Sequence, residues 1–419
     1  MSAVSPTVSN TRERLARHFF RNFFRLLLVA VAIGEWACLA HLLQAAYGRV
    51  PAWGHVAGPL AFYAINLLIV RVSPTTPIVW RRNVLQAYSA FAFAAVFGFV
   101  FLILNALLWG GIALLTQSVS LAAGDQAANV ASLPSIAYDW TSTGGLLVIG
   151  FSFLYGYTIG QRRMAITELR LPFRRATAPL AGVRIVQISD IHIGRYMQPE
   201  TLAGYVEQVN QLKPDILVIT GDILDSLSVI PEGFPVLSRL QAKYGVFATL
   251  GNHDFYAGAD EVAAALRRMT NFTVLRDDFA TVHINGAALH IAGVDDMGRD
   301  WARGVTFHPG LAKILPRLSP DVPVVLLSHR PDLFPHAVAA GIELVLSGHT
   351  HGGQLSLPSL GRRPISIARF ITRYDRGLYR EASSYVYVNR GLGCTGQRVR
   401  LFTPRDISIV EIEVPGERV

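Results

Sequence analysis

The chain has 419 residues, 51% of them hydrophobic and only 16% charged, and carries a net charge of +9. A typical soluble domain is about 25% charged, so a disordered chain is excluded and the deficit argues against a wholly soluble one. Residues 1–175 hold 14 arginines, no lysine and five acids, whereas residues 176–419 balance 24 bases against 24 acids, which leaves the second part no charge basis for binding nucleic acid.

The chain reads as two regions. In the first, four apolar stretches stand out: Leu26–Ala46, Val56–Val70, Val84–Leu115 and Gly145–Gly160. A helix needs about 20 apolar residues to cross the hydrocarbon core. The first stretch is long enough, and the third exceeds the need and must tilt or extend beyond the bilayer. The second and fourth borrow flanking residues such as Trp53 and Thr143. We expect an all-α transmembrane region over residues 26–161, with about four spans. A basic tail precedes it over residues 1–25, and a basic linker follows over 162–179.

Arginines mark the orientation. Arg12, Arg14, Arg17, Arg21 and Arg25 precede the first stretch. Arg71, Arg81 and Arg82 separate the second from the third, and Arg162, Arg163, Arg170, Arg174 and Arg175 follow the fourth. The other two loops hold only Arg49 in one and the acids Asp125 and Asp139 in the other. Positive flanks stay cytoplasmic. Both termini and the C-terminal domain are therefore expected on the cytoplasmic face of the inner (plasma) membrane. Glu35 and His41 lie inside the first stretch without sharing a helix face, and are expected to contact polar groups on neighbouring helices.

From residue 180 the pattern changes to short β-branched runs, each ending in a polar cluster. Arg184–Ser189 runs into Asp190-Ile191-His192. Ile216–Thr220 runs into Gly221-Asp222-Ile223-Leu224-Asp225. Val246–Leu250 runs into Gly251-Asn252-His253-Asp254. Val324–Ser328 runs into His329, and Leu344–Ser347 into Gly348-His349-Thr350-His351. Helices are expected over Pro199–Leu212 and Asp260–Met269. This alternation implies an α/β sheet with covered faces, whose strand-end loops collect ligands on one rim. Asn285-Gly286 reads as a hairpin turn, and Tyr385–Val388 and Ile407–Val414 as strands of a second sheet. Asp, Asn and His are poor strand residues, so five such clusters at successive strand ends point to a metal site. Oxygen and imidazole donors without thiolate suit Mn, Fe or Zn.

The ordered set D-x-H, G-D-x-x-D, G-N-H-D, H and G-H-T-H resembles the calcineurin-like metallophosphoesterase signature. Gly348–Gln354 (GHTHGGQ) and Val388–Gly393 (VNRGLG) are similar, more narrowly, to its membrane-associated YkuE/YaeI-type phosphodiesterase branch. The resemblance implies a two-sheet αββα sandwich over residues 180–419 and two divalent metal ions, with manganese favoured. It assigns Asp190, His192 and His351 to one ion, Asn252, His329 and His349 to the other, and Asp222 to both. It implies attack on phosphorus by a metal-bridging hydroxide, with His253 beside the leaving group, Asp254 orienting His253, and Asp225 supporting the ligands from behind.

Arg362, Arg363, Arg369, Arg373, Arg376 and Arg380 interleave with Ile365, Ile367, Phe370, Ile371 and Tyr374. We expect this segment to meet an anionic substrate headgroup or the lipid interface, with Arg362, Arg363, Arg373 and Arg376 as substrate contacts. Cys394 has no evident basic partner. His283, His290, His308 and His336 lie outside every motif and are expected to be structural. The leading reading is a membrane-bound, two-metal phosphohydrolase of phosphodiester or pyrophosphate bonds in a lipid-linked substrate, with membrane lipids as its surroundings and no nucleic acid partner. The alternatives are a tethered phosphodiesterase for a soluble nucleotide-type substrate, and a membrane sensor or transport protein with a regulatory phosphoesterase domain.

Overall fold

The apolar stretches of the first region form four helices: α1 (Pro6–Tyr47), α2 (Gly54–Arg71), α3 (Val79–Ala123) and α4 (Leu133–Thr158). The computed structural model describes residues 6–71, 79–123, 132–297, 308–358 and 364–415. It divides the chain into two compact units, Met1–Tyr155 and Gly156–Val419. All four helices are long and apolar enough to cross a membrane, over Arg25–Tyr47, Gly54–Arg71, Arg82–Ser118 and Leu133–Arg162. Two expectations change here. The basic tail is helical from Pro6 and continuous with the first span, and the fourth helix begins twelve residues before Gly145. Several polar groups inside these helices pair with one another, as an apolar solvent favours, although Glu35 Oε1 and Trp36 Nε1 are buried without a partner. Asn66 donates to Glu35 at 2.8 Å and Tyr88 donates to Asn66 at 3.1 Å, while His41 lies 3.1 Å from Thr143 Oγ1. Among the described residues Glu35 and His41 thus have separate partners.

In the second unit the elements follow as β1 (Met164–Pro172), β2 (Arg184–Ile188), α5 (Pro199–Gln211), β3 (Ile216–Thr220), α6 (Ile230–Leu237), β4 (Val246–Thr249), α7 (Asn252–Met269) and β5 (Thr273–Val274). Next come β6 (Asp278–Ile284), β7 (Ala287–Gly293), α8 (Pro309–Ile314), β8 (Val324–Leu327), α9 (Phe334–Ala339) and β9 (Leu344–Ser347). The last are β10 (Ser356–Leu357), β11 (Ile365–Ser366), β12 (Gly377–Glu381), β13 (Ser384–Val388) and β14 (Arg405–Glu413). One sheet has the order β1-β14-β2-β3-β4-β5 and the other β12-β13-β9-β8-β7-β6. Each is mixed, with a parallel centre.

The strands are apolar on both faces because both faces are covered. In β2, Val186 and Ile188 join α5, α6 and α7 in one core, while Ile185 points the other way, between the sheets. Alternate residues of β3 divide in the same manner: Leu217 and Ile219 outward, Ile216 and Val218 inward. A third core packs α8 and α9 on the outer face of the second sheet. This is the expected αββα sandwich. Asn285 and Gly286 take positive φ between β6 and β7 and close the expected hairpin.

Three expectations are corrected. The basic linker contains β1, which pairs in parallel with β14 over all nine of its residues. Its alternating polar residues made it read as a connector. Arg175 of the same segment is bound inside the unit by buried Glu343 at 2.5 Å. Finally, β14 enters the first sheet, between β1 and β2, rather than the second.

Candidate metal centre

The parallel strands β2, β3, β4, β8 and β9 release their chains at one rim, where Asp190, His192, Asp222, Asn252, His329, His349 and His351 follow directly. Gln187 ties the two sheets there, donating to Thr220 Oγ1 and to the Ser347 carbonyl, both at 2.9 Å. Five of these residues take left-handed backbone: Asp190 (φ 48°), His192 (49°), Asp222 (51°), His349 (70°) and His351 (49°). Such conformations cost about 1–3 kcal/mol each and gather at functional sites. Here they turn the chain sharply, so that consecutive loops aim side chains at one point. Space is tight as well. A Cβ on Gly251 would lie 2.3 Å from Asp222 Oδ1, so only glycine lets that loop approach.

Besides a group at the mouth, His192–Asp225–His253, the side chains fall into two groups able to hold a metal ion, Asp190–His192–His351 and Asp222–His329–His349. Asp222 stands between them. Its Oδ2 is 3.5 Å from His192 Nε2 on one side and 3.3 Å from His329 Nε2 on the other. Asn252 Oδ1 lies 3.2 Å from His329 Nε2 and so belongs with the second group.

The ring protons test whether cations fit. His192 Nδ1 faces the Asp225 carboxylate at 2.7 Å, and His329 Nδ1 faces the Thr220 carbonyl at 2.8 Å. Both partners only accept, so both Nδ1 atoms donate, and the inward Nε2 atoms are the ones that present a lone pair once the rings are neutral. Those Nε2 atoms meet further ring nitrogens, His351 Nε2 at 3.0 Å and His349 Nδ1 at 3.2 Å. Converging lone pairs beside buried carboxylates fit divalent cations.

The electrostatics agree. Burial opposes charge on His192, yet Asp225, Asp222 and Asp190 raise it to about 9. Burial likewise opposes charge on His329, yet Asp222 and Asp190 raise it to about 10. The field that raises these imidazoles is the field a divalent cation placed there would meet. Loading a divalent ion near pH 7.5 should therefore release about two protons per chain. Calorimetry in buffers of differing ionisation enthalpy measures that number, and release of none would contradict this account.

His253 and Asp225 lie at the mouth, each about one-third exposed, with His253 Nδ1 3.1 Å from Asp225 Oδ1. One Asp225 oxygen thus serves both His192 and His253. Asp254, expected to orient His253, does not touch it. Its carboxylate accepts from the N–H groups of Gly251 (2.9 Å), Ile223 (3.0 Å) and Leu224 (3.1 Å). The reason is that a separate helical turn from Asn252 precedes the expected Asp260–Met269 helix, the two meeting at a kink at Gly258 (φ 131°), which makes Asp254 the capping residue of that first turn and turns its side chain back over the helix start. Burial and then the Asp222 charge push the Asp254 carboxyl up to about 7. Asp254→Ala should lower stability by roughly 2–4 kcal/mol, the combined scale of a lost cap and its hydrogen bonds. A thermal melt checks this. Unchanged melting with lost turnover would restore the orienting role.

Arg376 is also corrected. It is buried and held by Thr403 Oγ1, the Pro364 carbonyl and Asp375, not turned to a substrate. Arg373 is exposed over the Tyr374 ring, and Arg362 and Arg363 lie outside the described residues.

Comparison with known proteins bears on this geometry. The family model for calcineurin-like phosphoesterases matches residues 183–353. The chain is 32% identical over 273 residues to the uncharacterized metallophosphoesterase YkuE of Bacillus subtilis, covering 64% of this chain and 92% of that protein. It is 34% identical over 274 residues to an uncharacterized metallophosphoesterase of Aquifex aeolicus, covering 65% and 98%. The chain belongs to the calcineurin-like metallophosphoesterases. It is also 31% identical over 255 residues to a Bos taurus transmembrane protein with metallophosphoesterase domain, of which it spans 56%.

This metallophosphoesterase carries further site residues that its sequence did not expose. Arg330, next to ligand-type His329, reaches His349 Nε2 at 2.8 Å and is held by buried Asp296 at 2.7 Å. Only its adjacency to His329 could have marked it. Arg400 is fully buried and donates to the Gly391 and Gly393 carbonyls, with His351 Nδ1 at 3.5 Å. Cys394 does have a basic partner, Arg405, at 3.8 Å. Burial would raise its thiol, but Arg405 and Arg400 outweigh burial and lower it. His290 and His308 are structural, binding Thr281 Oγ1 and the Asp295 carbonyl.

Proposed function

We propose that this metallophosphoesterase is a membrane-bound, two-metal phosphohydrolase that cleaves a phosphodiester or pyrophosphate bond in a lipid-linked substrate at the cytoplasmic face of the inner membrane. The position of Asp222 between two ligand groups carries the two-metal part. Asp190, His192 and His351 would hold one ion, Asn252, His329 and His349 the other, and Asp222 both, with manganese favoured among Mn, Fe and Zn. Bound there, divalent cations supply a nucleophile at neutral pH and neutralise charge on the phosphoryl oxygens. Asp225 holds the Nδ1 protons of His192 and His253, which leaves Nε2 of His253 to serve the departing oxygen. Arg330, fixed by Asp296, would meet a phosphoryl oxygen at the rim. Four helices of membrane-crossing length support membrane residence, and the arginine-rich flanks support the cytoplasmic orientation.

The test is product release by the purified full-length protein with Mn²⁺. Its panel is a chromogenic phosphodiester, UDP-2,3-diacylglucosamine and a bacterial lipid extract, each beside an Asp222→Asn control. Lipid cleavage far above chromogenic cleavage, lost in the control, supports the reading. Activity on the soluble diester alone returns the substrate to the nucleotide-type class. Inactivity with every divalent metal favours a sensor with a regulatory domain.

A further inference from the structure

The strands β10 and β11 pair with Ser356 opposite Ser366 and Leu357 opposite Ile365. Their polarity is inverted. Both serines are buried, Ser356 against Thr403 Oγ1 at 2.8 Å and Ser366 donating to Asp375 at 3.0 Å. Leu357 and Ile365 share the outer face, 68% and 48% exposed. The 3-10 turn Ile367–Phe370 extends this face with Ile367, Phe370 at 85% and Ile371 at 73% exposure. Contiguous apolar surface of this kind marks an interaction site. It adjoins the centre. Thr350, between His349 and His351, donates to the Asp375 carbonyl at 2.6 Å, and a Cβ on Gly353 would strike Ser366 at 2.7 Å.

Two cations lie among these side chains. Arg369 and Arg373 are exposed, and residues 364–374 contain no acid. Aliphatic and aromatic groups interleaved with arginine match the boundary between anionic headgroups and acyl chains. A two-fold contact with a second copy would set the same arginines against each other. The chain also carries four helices of membrane-crossing length, so a bilayer is the surface such a face would meet.

We propose that Leu357, Ile365, Ile367, Phe370 and Ile371, with Arg369 and Arg373, form a shallow docking surface for an anionic lipid bilayer. It deepens the lipid-substrate reading above and rests on that reading only for its purpose, which is to bring the rim of the metal centre to the headgroup layer.

Spin labels on the full-length protein test it. Phe370→Cys and, separately, Ile371→Cys are labelled in a Cys38→Ala background, where Cys394 stays buried. Arg268→Cys, exposed on α7, is the control. The proteins are reconstituted in vesicles of phosphatidylglycerol and phosphatidylcholine. Collision with a water-soluble nickel chelate should be about fivefold lower or more at 370 and 371 than at 268, with higher oxygen collision, as for side chains at the acyl boundary. Nickel access equal to that at 268, for both labels, overturns the proposal. Protection accompanied by spin–spin broadening between copies also overturns it, in favour of self-association. Turnover in the same vesicles separates the two readings: deep labels with preference for a soluble diester keep the docking surface and remove the lipid substrate.

Discussion

Asp222→Asn should reduce kcat/KM for any phosphodiester by about 10³-fold or more, roughly 4 kcal/mol of transition-state stabilisation. Asp222 has two tasks that a single amide cannot share. Its Oδ1 accepts from the His253 N–H at 2.8 Å, while Oδ2 faces His192 and His329. Asparagine keeps one acceptor, so the loop can remain folded, but the amide NH₂ and the lost charge disable the position between the two ligand groups. Metal content should fall with activity. Proton release on loading should fall too, because Asp222 helps to raise both His192 and His329. Elemental analysis beside the kinetics separates the cases. Full metal content with activity within tenfold of the parent would refute a bridging role.

His253→Gln should cost about 10²–10⁴-fold in kcat, the usual worth of a positioned general acid, while metal content is retained. The residue sits at the mouth, one-third exposed, edge-on to the His192 ring with centroids 4.6 Å apart. A leaving group able to depart unprotonated needs less help, so the loss should shrink on a nitrophenyl diester. Equal loss on good and poor leaving groups would remove the proton-donor role. Asp225→Asn distinguishes support from structure. Burial would raise the Asp225 carboxyl, but its bonds to His192 and His253 lower it to about 2. It is therefore ionised throughout the working range and holds the Nδ1 proton of His192. Its loss should cost about 10–100-fold in kcat/KM and weaken metal binding in step. Asp254→Asn should leave metal binding in place.

The gathering of these candidate ligands was legible because metal chemistry restricts residue types and because a parallel α/β sheet delivers them at strand ends. Asp190, His192, Asp222, Asn252, His329, His349 and His351 all stand where the motifs put them. The supporting residues were legible only in part. Asp225, expected behind the ligands, does bond to His192, but the partners of Asp254 depend on a first helical turn at Asn252 that its capping rather than apolar periodicity sets. Arg330 and Arg400 had no motif at all, and their roles come from contacts across 19 and 49 residues of chain.

Sequence by itself determined the four apolar helices of membrane-crossing length, the strand positions and the donor types at the rim, because apolar length, β-branched runs and donor chemistry are local properties. Tertiary structure alone decided the rest. It placed β1 and β14 in one sheet, because an edge strand with alternating polar residues gains its partners only from distant backbone. It made Asp225 rather than Asp254 the partner of His253, because side-chain direction follows helix phase. It also turned serines inward and Leu357 and Ile365 outward, a reversal that composition cannot reveal because register alone assigns each side chain its face.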